Sequence, residues 1–410
     1  MQNKYFLHSS FQAWLIVLTS ALFFFYEFVQ LNIFNVINND LMQAFGVGAT
    51  GVSNLSAGYF YADVILLLPA GMILDRFSVR TVLSIAMVFS IIGTFGLSLS
   101  HDYWLAFIMR LFSGFGAAFN LLSSLKLASR WFPEAKLSLV TGVVVTMAMI
   151  GGVISQTPMS LLSDAVGWRH ALQIDGSMGI IFLLLIITIV RDFPKGSIDK
   201  LSRDISAGFM LKKVLSNGQN TLAAFYTSLM NLPILIFAAL WGIDYLTKVD
   251  GFTATQASLM TSMIFIGMII GCPLVGELAD KLKRKKGLMI ITGLLALVTI
   301  LLMRYLAAPS LSQMLLLNFF LGLFISGQVL SYPLITEKNP HALTGSALGY
   351  ASVIIMLGGA LGQPLMGFLL DMHASNGDYT VSDYQFAFMI FPALFVVGIF
   401  CAFFLKEGKD

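Results

Sequence analysis

Apolar runs recur along the whole chain, separated by short polar breaks. About 20 apolar residues wound as a helix cross a hydrocarbon core roughly 30 Å thick, with the backbone groups satisfied internally. The pattern predicts twelve helices, at 12–38, 50–73, 80–98, 103–128, 136–162, 168–190, 221–246, 256–278, 287–305, 311–336, 343–370 and 385–405. The expected fold class is therefore all-α integral membrane, with twelve transmembrane helices and both termini on one side.

Composition agrees: 57% of the 410 residues are hydrophobic and 11% charged, too few to clothe a water-facing surface. The formal charge of +3 comes from short basic clusters between apolar runs, so no nucleic-acid partner is expected. Cys272 and Cys401 lie inside apolar runs without disulfide or metal spacing. The run beginning near Phe11 carries Glu27 and has no cleavage pattern behind it, so it reads as a retained helix.

Placing the termini in the cytoplasm assigns 20 of the 24 Lys and Arg to that side, including Lys281, Lys283, Arg284, Lys285 and Lys286. Only Arg169, Lys248 and Arg304 remain outside, with Arg110 inside a helix, so the positive-inside rule selects this orientation. The longest polar stretch, 191–220, reads as a solvated linker. It separates an N-terminal six-helix bundle, 1–190, from a C-terminal one, 221–410.

Two echoes relate these groups. Gly71, Asp75, Arg76 and Arg80 after helix two recur as Gly276, Asp280, Lys281 and Lys285 after helix eight, 205 positions later. Gly142, Gly151, Gly152, Gln156 and Asp164 recur as Gly349, Gly358, Gly359, Gln363 and Asp371, at an offset of 207. Parallel halves imply two pseudo-symmetric six-helix bundles about an axis along the membrane normal, with a site between halves that rock to give alternating access.

The segment from Gly71 to Arg80 resembles the signature loop between helices two and three of the major facilitator superfamily, and Gly276 to Lys286 resembles its weaker second copy. The resemblance implies the major facilitator fold and a conformational gate at Gly71, Asp75, Arg76, Arg80, Gly276, Asp280, Lys281 and Lys285, linking the cytoplasmic ends of neighbouring helices in the outward-open state. Ser78 stands where that loop usually has glycine, and the second copy lacks the glycine too. In helix four, the run from Arg110 to Gly116 resembles the family's intramembrane arginine motif, which is associated with proton coupling. Met147 and Ala148 replace the Gly-Pro of the antiporter motif, which weighs against drug export. Trp131-Phe132-Pro133, Gly167-Trp168-Arg169 and Leu240-Trp241-Gly242 resemble segments of organic-solute symporters.

An ionisable group at the bilayer centre costs about 2.5–3.5 kcal/mol on insertion scales, so Glu27, Asp63, Arg110 and Asp175 each need a partner, water or a function. Glu27 with Gln30 and Phe34 forms a helical stripe expected to face the central cavity, either as a substrate or proton contact or as a fixed partner of Arg110. Arg110 and Asp175 should both lie roughly 10 Å below the outer helix ends, with Glu27 slightly deeper. Asp63 is expected either in the cavity or at the interface between halves. Lys126, near the cytoplasmic end of helix four, is expected to reach the headgroups. From the second half, Asn231, Trp241, Gln328, Tyr332, Tyr350 and Gln363 complete the candidate substrate site, and Asp244 adds a polar group in helix seven.

Charged groups from one half and neutral ones from the other suit a small polar organic solute, whether amino acid, short peptide or organic anion. The first reading is proton-coupled or facilitative uptake across a bacterial inner membrane by a protein functional as a monomer. The alternatives are efflux of a metabolite, siderophore or drug, and a solute sensor without flux. The partners are the lipid bilayer, the solute and protons, and no cofactor or metal is implied. His8, His101, His170, His341 and His373 fall near helix ends or loops and form no HExxH motif, so an enzyme is not expected.

Overall fold

The computed structural model describes residues 10–194, 214–340, 343–374 and 379–407. Most of the linker, from 195 to 213, and both His8 and His341 lie outside the described residues. Among the described residues, eleven helices are long and apolar enough to cross a membrane, or twelve when the bent pair Ala49–Leu67 and Pro69–Arg76 counts as one span.

In chain order, the first span is Ser10–Asn32, continued by Phe34–Phe45. The second is Ala49–Arg76 and the third Val79–Leu99. The fourth joins Tyr103–Ala117 to Asn120–Trp131, the fifth joins Glu134–Ile154 to Thr157–Val166, and the sixth is Trp168–Ile189. The seventh passes from Gly218–Met230 through a π-helical stretch, Pro233–Trp241, into Gly242–Asp250. The eighth is Ala254–Leu282 and the ninth Lys285–Tyr305. The tenth comprises Leu311–Ile325, a 3₁₀ turn at Ser326–Leu330 and Ser331–Glu337. The eleventh is Thr344–His373, and the twelfth joins Val381–Ala387 to Ile390–Phe403.

The duplication reappears as packing. Within the first half the first span lies along the fifth, the second along the fourth, and the third along the fourth and sixth; adding six to each number describes the second half. Between halves, the second span packs on the eleventh and the fifth on the eighth. These crossings are tight where glycine permits them. A Cβ added at Gly114 would stand 2.9 Å from the Cα of Tyr59, and one at Gly322 would stand 2.9 Å from the Cα of Ile264. Small residues let membrane helices approach this closely. Gly359 faces the Phe60 ring and Gly152 the Phe265 ring, across the second-to-eleventh and fifth-to-eighth contacts.

Two helix breaks have local causes. The second span bends by 57° at Pro69, and the fifth breaks at Ser155 and Gln156, just before Pro158. Proline lacks the amide that would continue the preceding turn. Pro273 and Pro364 are accommodated inside continuous helices. The glycine missing from the two loop copies is replaced in two ways. Ser78 sits at φ −58° and caps the third span by accepting a hydrogen bond from the Thr81 amide, so no left-handed residue is needed. Lys283, its counterpart 205 positions on, takes the left-handed conformation itself at φ 51°.

Candidate functional site

The first half buries four ionisable side chains close together. Glu27 is completely enclosed; Tyr59 donates a hydrogen bond to its Oε2 at 3.0 Å and Ser90 donates to Oε1. These donors come from the second and third spans, so Glu27 points into its own bundle and not, as its stripe suggested, into the space between halves. The reason is rotational: a stripe defines a face of a helix but not which neighbours that face meets.

Arg110 is 1% exposed, and its guanidinium lies 4.0 Å from the Phe34 ring centroid and 4.8 Å from that of Tyr59. Its Nη1 donates to the Gln30 carbonyl at 2.9 Å, whereas Nε and Nη2 have no hydrogen-bond partner among the described residues. Two aromatic faces and one carbonyl hold the cation where sequence reasoning offered a direct pair with Glu27. Asp175, from the sixth span, accepts from the Gln30 side chain through Oδ2 and leaves Oδ1 unpartnered. Asp63 is 4% exposed with Oδ1 unpartnered, one turn beyond Tyr59 on the second span. Gln30 therefore joins Arg110 to Asp175, and Tyr59 joins Arg110 to Glu27.

The second-half candidates are dispersed. Gln328 donates to Asn231 at 3.2 Å, and Thr221 and Tyr350 share a hydroxyl contact of 3.1 Å. Tyr332 is half-buried. Gln363 is enclosed and donates to the Leu235 carbonyl at 2.8 Å, and Trp241 is enclosed and donates to Ser53 of the first half at 3.2 Å. Gln363 and Trp241 are thus committed to packing contacts.

At the end of the bundle that carries Ser10 and Glu407, the loop residues pair within their own halves. Lys126 bridges Asp75 and the Leu74 carbonyl, where the headgroups had been expected as its destination. Arg80 donates through its side chain to the Ile187 carbonyl and through its amide to Asp192. In the second copy Lys285 pairs with Glu337, and Lys281 with Glu277 one turn earlier. Arg76 and Asp280 are exposed, and Gly71 and Gly276 border open space.

Among the described residues, hydrogen bonds between the halves concentrate at the other end. Asn38 and Asn39 each donate to one oxygen of Asp244 at 2.6 Å. Asn35 donates to Gln156 at 2.8 Å and accepts from the Ile243 amide, while Gln156 donates to the Ala238 carbonyl and accepts from Thr261. Asp371 accepts from the Ala49 and Thr50 amides at 3.2 and 2.8 Å, a carboxylate on the exposed donors of a helix start. Tyr379 donates to that carboxylate, and burial together with Asp371 pushes its phenol up to about 12. Asn35, Asn38 and Asn39 were missed as candidates. Their spacing of three and four marks one polar helix face, which was the available signal.

A repeated six-helix bundle with ionisable groups buried inside it and two halves bonded at one end is the architecture of a membrane transporter. The Major Facilitator Superfamily model matches residues 16–247 and 235–410, and the chain belongs to that family. It is 21% identical to the probable galactarate/D-glucarate transporter GarP of Escherichia coli K12, over 89% of this chain and 90% of that one. It is 24% identical to the multidrug resistance protein Stp of Mycobacterium tuberculosis (strain CDC 1551 / Oshkosh), over 87% and 75%. Its fold matches a bacterial homologue of the human lysosomal transporter Spinster, solved inward-facing and unoccupied, with a TM-score of 0.80 at 14% identity over 97% of both chains.

Proposed function

We propose that the protein is a secondary carrier taking a small polar organic solute into a bacterial cell with protons, acting as a monomer in the inner membrane with both termini cytoplasmic. The moving units are 1–190 and 221–410, joined by 191–220. The observation that carries this reading is the asymmetric seam: hydrogen bonds between halves concentrate away from the termini, while the loop charges at the terminal end pair within each half. In the proposed orientation this is a carrier open toward the cytoplasm. Galactarate and glucarate, named for the E. coli relative, are polar organic anions within the proposed class.

Glu27, Asp63, Asp175 and Arg110 form the proton-handling cluster of the first half, and Asn231, Gln328, Tyr332 and Tyr350 are the cargo contacts of the second. The test is counterflow and pH-driven accumulation in proteoliposomes, after ligands have been found by thermal stabilisation across amino acids, dipeptides, sugar acids and nucleosides. Glu27→Gln is expected to abolish accumulation and spare counterflow. If it impairs neither, the coupling assignment is wrong; if no compound moves, the carrier reading is wrong. The relation to a multidrug resistance protein supports efflux as a second reading, and a larger hydrophobic ligand in the same screen would select it.

A further inference from the structure

Asp244 is a carboxylate 2% exposed in the seventh span, and neither described hydrogen bond to it comes from a cation. Both oxygens are occupied by carboxamides of the opposite half, Asn38 and Asn39. The Asn38 amide also reaches the Leu240 carbonyl at 3.2 Å, within the π-helical stretch of the seventh span. Two further π-helix carbonyls take side-chain amides: Ala238 from Gln156 of the first half, and Leu235 from Gln363. A wide π turn is found often at functional positions, and here it turns three carbonyls toward neighbouring spans.

The neighbouring contacts between halves are weaker in kind. Thr157 and Ser262 share a hydroxyl contact of 3.3 Å, and Trp241 reaches Ser53 at 3.2 Å. Asp371 holds the second span but is accessible to water, which can replace the amides it loses. Among the described residues, Asp244 alone couples an enclosed carboxylate to two donors across the seam, and hydrogen bonds to charged groups are the strong ones.

We propose that Asp244 with Asn38 and Asn39 is the latch that keeps the end opposite the termini shut, so that breaking these two bonds sets how often that end opens. This rests on the alternating-access reading, but its test needs no substrate. The full chain, with Cys272 and Cys401 replaced by serine, receives spin labels at the exposed positions Gln43 and Ala254, on opposite sides of the seam. Distances between labels are then measured in lipid nanodiscs. Asp244→Ala is expected to raise the ratio of long to short distances by about 100-fold, the equivalent of two charge-assisted bonds at the low end of their range.

The double variant Asn38→Asp with Asp244→Asn, which moves the carboxylate across the seam, should restore the short distance; a merely structural role for Asp244 predicts no such rescue. Should Asp244→Ala fail to fold, Asn38→Ala and Asn39→Ala test the same bonds singly, each with about a tenfold change. An unchanged distance distribution in a folded variant overturns the latch. Loss of the latch with retained counterflow leaves the carrier reading standing, and absence of counterflow in the unaltered protein removes that reading without touching the distances.

Discussion

Gly114→Ala is the sharpest test of how the first half is packed. The added methyl would lie against the backbone of Tyr59, 2.8 Å from its carbonyl carbon and 2.9 Å from its Cα, and closer still to its oxygen. Carbon atoms pack at about 3.5–4.0 Å, so the second and fourth spans must part by roughly 1 Å. Backbone cannot rotate aside as a side chain can, and overpacking of this kind costs about 1–3 kcal/mol. At about 2–4 °C per kcal/mol for a folding unit the size of one half, the melting temperature should fall by roughly 2–12 °C. Moving Tyr59 also withdraws its hydroxyl from Glu27 and its ring from Arg110.

The assay is a thermal melt in detergent followed by tryptophan fluorescence, with Gly142→Ala as control. Gly142 lies within Glu134–Ile154 with nothing near enough to touch a Cβ, so alanine there should be neutral or raise stability by up to about 1 kcal/mol through helix propensity. Equal melting temperatures for the two variants would refute the close crossing.

Other substitutions separate the remaining contacts. Asp371→Asn removes the charge that faces the start of the second span, worth about 0.3–2 kcal/mol, and should lengthen the Gln43 to Ala254 distance less than Asp244→Ala does. Lys126→Met breaks the pair with Asp75, whose side chain is 64% exposed; stability should change by less than about 1 kcal/mol, and a larger drop in the melt would show that the pair is more than a solvated contact. Glu27→Gln leaves one acceptor for the two donors Ser90 and Tyr59, so about 1.5–3 kcal/mol of stability should go along with pH-driven accumulation. An unchanged melt would mean the two donors find other partners.

The membrane spans and the offset repeats were legible because they are properties of one helix at a time. Bilayer insertion depends on local apolar content, and a duplicated chain keeps its spacing whatever the helices touch. The same reasoning brought Glu27, Arg110 and Asp175 to similar depths, and the structure gathers them. It did not find that Gln30 takes Asp175, that Arg110 lies between Phe34 and Tyr59, or that Asn38 and Asn39 meet Asp244 some 200 residues away.

Those partnerships depend on how far each helix is rotated and where it crosses its neighbour. Both are decided by contacts such as Gly114 on Tyr59 and Gly152 on Phe265, where shape is matched between distant segments. The π-helical stretch of the seventh span has the same origin. Pro233 marks its start, but the rest reads as an ordinary apolar run, and three of its carbonyls are taken by amides from three other spans. The sequence by itself determined how many helices cross the membrane and that they come in two related sets. Only the tertiary structure decided which buried polar groups meet and which end of the seam they close, because pairing energies arise from side chains far apart in the chain.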